Sequence, residues 1–313
     1  MRMLVTGANG FVGNATVRQL IKNHVVHALD NLRYGPWRFS GEELRQFECS
    51  VTDLRDASAV EAVVSAFRPD AIIHLAAIHF IPECERLPDE AVTININGTL
   101  NLLRICPQSC RFVYASTAAV YAPNDVAHRE HEDTIGPMDV YGITKLAGED
   151  FVRYYAGQRG FSAAIIRLFN VIGPGETNPH VVPEIIRQLK RGDRNLRLGN
   201  ISPKRDYVYV DDVARGFIAA AMIVPTTEPK ISVANLGTNS SYSVADLVQR
   251  ISAVIGEPIS VVIDPNKVRQ SDRPQLLADN ARMKQLFGWT PKYDIDQSLR
   301  QIWETPNMLE KLN

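Results

Sequence analysis

Two short stretches set the chemistry this chain could perform. Tyr141 and Lys145 stand four apart in Tyr141-Gly-Ile-Thr-Lys145, and Ser116-Thr117 lies upstream of them. On a helix, positions i and i+4 share a face. An ammonium beside a phenol favours the phenolate, so the spacing predicts a Tyr141 pKa lowered towards neutrality. Tyr141 is then a candidate base for taking the proton of an alcohol. A lone Tyr-x-x-x-Lys is a weak signal. It gains weight from a glycine-rich loop that opens the same chain.

That loop runs Gly7-Ala8-Asn9-Gly10-Phe11-Val12-Gly13, between a strand-like segment and a helical one. Glycines let such a turn close and let backbone approach a pyrophosphate, whose charge sits at the helix N-terminus. The spacing is G-x-x-G-x-x-G rather than the commoner G-x-G-x-x-G. Asp30 closes the next strand, where a carboxylate accepts both ribose hydroxyls of NAD and repels a 2′-phosphate. Arg33 nearby keeps NADP open. Asp53-Leu54 offers a carboxylate to an adenine amino group, or a cap for the helix that follows. After His74-Leu75 come Ala76 and Ala77, small enough for a dinucleotide to lie against the backbone. His74 itself reads as a structural histidine.

Elements must position these residues. Met3–Thr6, Val25–Asp30, Ala71–Leu75, Phe112–Ala115 and Ala163–Leu168 are mostly continuous apolar runs, the pattern of parallel strands buried on both faces. Helical periodicity falls between them, over Gly13–Asn23, Ala57–Phe67, Glu90–Ile105 and Tyr141–Gln158. Alternating β and α predicts an α/β fold, a Rossmann-type doubly wound parallel sheet with right-handed crossovers. Past residue 170 the texture changes. Gly173-Pro-Gly175 and Asn178-Pro179 are breakers, followed by a helix over Val182–Lys190, a strand over Asp206–Val210 and a helix to Ile223. A strand at Ile231–Leu236 and a capping box at Ser243-Val-Ala-Asp246 come next. The expected organisation is an NAD-binding domain over 1–170, with 206–236 returning to it. A smaller C-terminal substrate-binding lobe comes mainly from 171–205 and 237–313.

Composition narrows the classes. The 313 residues are 45% hydrophobic and 22% charged, with a formal net charge of -1. Neither a basic stripe for nucleic acid nor an apolar run long enough for a bilayer stands out. The cysteines Cys49, Cys84, Cys106 and Cys110 lack paired metal spacing and read as free thiols. His128 and His131 sit in a polar loop without further ligands, so no metal is expected. The reading is a reduced, cytoplasmic protein.

Several motifs in order resemble the extended short-chain dehydrogenase/reductase family, in its NAD-dependent nucleotide-sugar epimerase/dehydratase branch. They are the glycine loop, His74-Leu-Ala-Ala77, Asn95-Ile-Asn-Gly-Thr99, Ser116-Thr-Ala-Ala-Val-Tyr121 and Tyr141-Gly-Ile-Thr-Lys145. Arg167-Leu-Phe-Asn-Val-Ile-Gly-Pro174 and Arg205-Asp-Tyr-Val-Tyr-Val-Asp211 complete the series. The resemblance implies that Tyr141 takes a proton from a sugar hydroxyl while NAD accepts hydride from the same carbon. Lys145 would hold the nicotinamide ribose, and Thr117, beside Ser116, would hydrogen-bond the reacting oxygen. Asp30-Asn31-Leu32 resembles the NAD-binding stretch of sugar 4-epimerases, and Asn95 falls among the cofactor motifs. Asn170 and Arg205 would contact the diphosphate of a nucleotide-diphosphate sugar. Arg273 resembles a second nucleotide contact, with a plain surface arginine as the alternative. Leu198 would lie near the base. His79 stands where some relatives contact substrate, and either touches the sugar or packs.

In 4,6-dehydratases of this family the two positions after the threonine are typically acidic. Here they are Ala118 and Ala119, which transfer no protons. Elimination of water is disfavoured, leaving oxidation and re-reduction at one carbon, as in a 4-epimerase. A 4-keto-sugar reductase of the GDP-sugar type stays open, as do a decarboxylating enzyme and a non-catalytic NAD-binding regulator. The family resemblance implies a homodimer, packed through Glu90–Ile105 and Tyr141–Gln158. Leu100, Leu103, Phe151 and Tyr155 either meet the partner or face their own sheet.

Overall fold

The computed structural model describes residues 1–176, 178–223, 230–268 and 273–305. Asp272 and the expected end of the substrate lobe, 306–313, lie outside the described residues. Strands β1 (Arg2–Thr6), β2 (Val25–Asp30), β3 (Glu48–Val51) and β4 (Ala71–His74) alternate with α1 (Phe11–Leu20) and α2 (Ala57–Phe67). Next come α3 (Ile81–Arg86), α4 (Pro88–Val92), a π turn over Thr93–Asn97, α5 (Gly98–Ile105), β5 (Arg111–Thr117), α6 (Val140–Arg159) and β6 (Ser162–Leu168). The chain continues as β7 (Asn170–Ile172), α7 (Val181–Lys190), β8 (Asn195–Leu198), β9 (Lys204–Tyr209), α8 (Val210–Met222) and β10 (Ile231–Leu236). It closes with β11 (Ser241–Ser243), α9 (Val244–Ile255), β12 (Ser260–Ile263), β13 (Gln275–Leu276), α10 (Ala281–Phe287) and α11 (Ile295–Glu304).

Seven parallel strands form the main sheet, in the order β10-β6-β5-β4-β1-β2-β3. Their apolar side chains need cover on both faces, and helices supply it. Val17, Leu20, Phe217 and Met283 pack one face from α1, α8 and α10. Val64, Phe67, Leu102 and Val152 pack the other from α2, α5 and α6. Strand order reverses beside β1, so a crevice opens outside the carboxyl ends of β1 and β4, where α/β sheets bind ligands. Thr6, Asp30, His74 and Thr117 all end their strands at that edge.

The remaining elements build a smaller lobe. In it β11, β9 and β13 form a path with β7 also on β9, and β12 pairs β8. Its core gathers Ile185, Leu189, Leu196, Leu247, Ile251 and Leu299. The capping box at Ser243 and Asp246 is present, and an unanticipated second one links Asp294 with Gln297 at the start of α11. Segment 206–236 divides. α8 and β10 return to the main sheet, whereas 206–209 belongs to β9 in the small sheet. Asp206 explains this. Its buried carboxylate accepts from the backbone N–H groups of Thr238, Asn239 and Ala278, which ties β9 to the lobe. The helix expected over Glu90–Ile105 is broken by the π turn, a feature common at functional sites. Leu103 is fully buried against its own sheet, which settles its alternatives. No helix among the described residues is long and apolar enough to cross a membrane.

Candidate functional site

The site grows from the tips of β1, β4 and β5 and the first turns of α1 and α6. Gly7 adopts φ +67, and a Cβ there would stand 2.6 Å from the backbone nitrogen of Ala76. The glycine loop therefore presses against Leu75-Ala76, and no larger residue fits. Gly10 caps α1 without a side-chain bond, having no side chain to offer its first-turn N–H groups. Gly13 lies buried in the same turn.

Asn9 is nearly buried and acts as a hub. Its backbone N–H donates to Asp30 Oδ2 (2.9 Å), its amide donates to the carbonyl of Pro36, and its Oδ1 accepts from the Arg38 N–H. The other Asp30 oxygen accepts from the Leu32 N–H at 2.8 Å. Each carboxylate oxygen keeps a second lone pair for a ribose hydroxyl. Burial raises the Asp30 pKa, against those backbone bonds. Leu32 holds φ 55, a strained value for a side chain of its kind. Asn31 donates to Asp53, and Arg55 grips Asp53 with two bonds and holds its carboxyl well below the usual range. The α2 cap is Asp56, not Asp53, which removes that alternative for Asp53. Leu54 is buried beneath this corner. An uncapped helix start, a close-pressed glycine loop and an acceptor at the end of β2 fit a dinucleotide with a free ribose diol.

The chemical residues gather at β5 and α6. Asp139 caps α6 through the Gly142 N–H, fixing where the helix begins. A Cβ on Gly142 would lie 2.8 Å from the Ala119 carbonyl, so glycine lets this turn come down on the end of β5. Thr117 then lies beside the half-buried Tyr141 phenol and favours its ionised form. Lys145 is 2% exposed, with Nζ 4.1 Å from the centre of the Tyr114 ring. Tyr141 thus lies beside Thr117, and Lys145, one helical turn on, is buried over the Tyr114 ring. Their charges do not follow the expectation. Burial pushes the Tyr141 phenol up, although Thr117 opposes it, and burial pushes Lys145 down to about 7. Both shifts are led by the loss of water around the group, and neither group is among the causes of the other's shift.

Three expected contacts are engaged elsewhere. Ser116 donates to Glu149 Oε1 at 2.6 Å, inside a buried cluster with Arg167, rather than facing a substrate. Asn95, buried in the π turn, donates to the Ile78 carbonyl and to Thr144 while accepting from the Ile78 N–H. It fastens the irregular segment following Ala77 to α6. Leu198 is part of the lobe's apolar core, so its side chain is withheld from a ligand. His74 is structural, bonded on both ring nitrogens to Thr6 and Thr99.

Asn170 is exposed at the start of β7. Arg205, on β9, donates to the carbonyl of Arg273, and Arg273 donates to the Ala119 and Tyr121 carbonyls just past Thr117. Arg273 is therefore no plain surface residue; it fastens the lobe to the reactive turn. His79 is exposed but hemmed in, with Nε2 2.9 Å from the Asn178 amide and a pKa lowered by crowding and by His180. Asn178 and His180 were not singled out from sequence, since their breaker-rich loop carries no periodic signal. Glu149 was also missed, although it stands one helical turn beyond Lys145.

Fold and site define the class: a Rossmann-type α/β protein with a Thr-Tyr-Lys cluster at the switch point of its sheet. Residues 3–237 match the model of the NAD dependent epimerase/dehydratase family. A GDP-6-deoxy-D-mannose reductase of Pseudomonas aeruginosa is 29% identical over 97% of both chains. The crystal structure of a Thermotoga maritima UDP-glucose 4-epimerase with UDP-glucose shares 28% identity, covering 97% of this chain and 98% of that one, with a TM-score of 0.87. A Thermus thermophilus UDP-glucose 4-epimerase in complex with NAD shares 27% identity over 97% and 98%, with a TM-score of 0.84. The chain belongs to the NAD-dependent epimerase/dehydratase family, within the extended short-chain dehydrogenases/reductases.

Proposed function

We propose that this protein is an NAD-dependent nucleotide-sugar 4-epimerase that works by transient oxidation at C4. The observation that carries the reading is the Thr117–Tyr141–Lys145 cluster with only methyl groups at Ala118 and Ala119. Bound NAD supplies hydride acceptance and return. Tyr141 takes the proton from the sugar hydroxyl and gives it back after the 4-keto sugar has turned over. Thr117 holds that oxygen towards Tyr141. Lys145 holds the nicotinamide ribose and stabilises the phenolate when charged. Asp30 takes the adenosine ribose diol, and Asp53 with Leu54 receives the adenine. Arg205, Arg273 and Asn170 face the diphosphate, in a lobe built mainly from 171–205 and 237–305. Arginine suits that task because its planar fork matches phosphate oxygens.

Mass spectrometry of purified protein should reveal bound NAD. A panel of UDP-, GDP-, dTDP- and CDP-sugars should then identify a pair of C4 epimers interconverted without added cofactor. Stoichiometric consumption of NADH or NADPH would overturn the epimerase reading. A reductase acting on a GDP-4-keto sugar is the second reading, favoured by the reductase relative that aligns over 97% of this chain. It needs no elimination acids either.

A further inference from the structure

Two arginines stand beside the residues that would take the adenosine half of NAD. Arg33 is rooted between the expected ribose and adenine acceptors. Its backbone N–H donates to Asn31 Oδ1 at 3.1 Å, the Asn31 amide donates to Asp53, and the preceding Leu32 N–H donates to Asp30. Arg55 follows two residues after Asp53. In dinucleotide folds an arginine near the ribose accommodates the 2′-phosphate of NADP. By position alone, then, Arg33 and Arg55 would offset the repulsion from Asp30 and admit NADP.

Both guanidiniums are committed to carboxylates. Arg55 closes on Asp53 through Nε and Nη2, at 2.9 and 2.7 Å. Arg33 reaches the helices after β4, where Nη2 meets Glu83 of α3 at 3.2 Å and Glu90 of α4 at 2.5 Å. Tyr34 donates to the other oxygen of Glu83 at 3.0 Å and fixes that carboxylate. The Glu83 side chain is 15% exposed, so water screens it poorly. A single exposed ion pair holds little. Here one guanidinium faces two carboxylates, one of them anchored by a tyrosine, and its charge is more than cancelled. Glu90 also lies close enough for its charge to act on Arg55. Four carboxylates, Asp30, Asp53, Glu83 and Glu90, thus meet two guanidiniums at this corner. A phosphate monoester on the ribose would enter a field of net negative charge.

We propose that Glu83 and Glu90 are positioning residues for cofactor choice. By engaging Arg33 they withhold it from a 2′-phosphate, so the site takes NAD and refuses NADP. The inference rests on Asp30 taking the ribose diol and is independent of the sugar reaction that follows.

The bound nucleotide reads this choice directly. Purified full-length protein is dialysed against equal millimolar NAD and NADP, and the nucleotides it holds are extracted and counted by mass spectrometry. Protein that does not exchange is read on what it took up in a common expression host. Wild type should hold NAD. Glu83→Gln/Glu90→Gln keeps both side-chain shapes and removes both charges. It should raise the NADP-to-NAD ratio at least about tenfold, the worth of one charge-assisted hydrogen bond. Adding Arg33→Met to that variant should return the ratio to the wild-type value, which a merely structural role of the carboxylates would not do. Should the double variant fail to fold, Glu90→Gln, at the more exposed carboxylate, decides the matter with a several-fold rise that Arg33→Met again cancels. A ratio unchanged in the folded carboxylate variants, or a rise that survives Arg33→Met, overturns the proposal while leaving Asp30 in its role. A wild type that holds NADP as readily as NAD overturns the assignment of Asp30 and the proposal with it.

Discussion

At the residue scale, Tyr141 and Lys145 carry different burdens. Removing the Tyr141 hydroxyl leaves a ring of nearly the same shape on α6. The Tyr141→Phe variant should therefore lose proton transfer, about 10²–10⁴-fold in turnover, while NAD stays bound. Turnover assays with mass spectrometry of bound nucleotide measure both; unchanged turnover would reject Tyr141 as the base. Lys145 makes a prediction in pH. Its folded pKa is about 7 against 10.5 for the ordinary lysine. Between those values the unfolded chain binds a proton that the folded protein lacks, so this group's contribution to stability rises with pH. The contribution is fully present above 10.5 and is lost as pH falls towards 7. Urea midpoints of wild type and Lys145→Met, measured without added nucleotide, should differ most, in favour of the variant, below pH 7. The gap should close towards pH 10.5. A gap independent of pH would show that Lys145 stays charged in the folded protein.

At the scale of elements, Glu149 explains how β5 and α6 hold their register. Its carboxylate is fully buried and accepts two bonds from Arg167 on β6, at 2.9 and 2.8 Å, one from Ser116 on β5 and one from Arg153. Thr117 and Tyr141 are thereby fixed through a charge pair that itself touches neither. Replacing Glu149 with Ala leaves the Arg167 guanidinium buried and unpaired, and such losses cost about 3–5 kcal/mol. The double variant Glu149→Leu/Arg167→Met, which buries no charge, should recover much of that stability in urea unfolding yet remain impaired in turnover. Full recovery of turnover would show that the pair has no part in aligning β5 with α6. Only the i,i+4 spacing of Glu149 and Arg153 was legible from sequence, because Arg167 and Ser116 lie on two other elements with no spacing to α6. What was legible had local causes. Mostly continuous apolar runs marked β1, β2, β4, β5 and β6, and the Ser243/Asp246 cap marked the start of α9. The three-residue β11 and two-residue β13 have too few side chains for periodicity to register. Motif resemblance named Ser116, Asn95, Leu198, Asn170, Arg205 and Arg273, but only tertiary packing shows that Ser116, Asn95, Arg205 and Arg273 already hold hydrogen bonds, that Leu198 is in the apolar core and that Asn170 is exposed.

At the scale of the whole molecule, the helical face beside the reactive site exposes two large apolar side chains on either side of the charged Asp150. Ile143 and Tyr154 are 54% and 60% exposed, and they lie eleven residues apart on α6, three turns along one stripe. Val92, at the end of α4, is 42% exposed, and α4 packs against α6. Phe151 and Tyr155 are partly buried against their own core, so they back this surface rather than form it. A two-fold dimer through α5 and α6 would cover the stripe, and in such an interface each residue counts twice. Arginine at both positions, in Ile143→Arg/Tyr154→Arg, places four charges at the contact and should shift the protein from dimer to monomer by sedimentation velocity. Helix α6 also carries Tyr141 and Lys145, so the monomer should retain NAD but lose part of its turnover as the helix loses its outer support. If wild type itself sediments as a monomer, or the variant stays dimeric, the stripe is not the dimer surface.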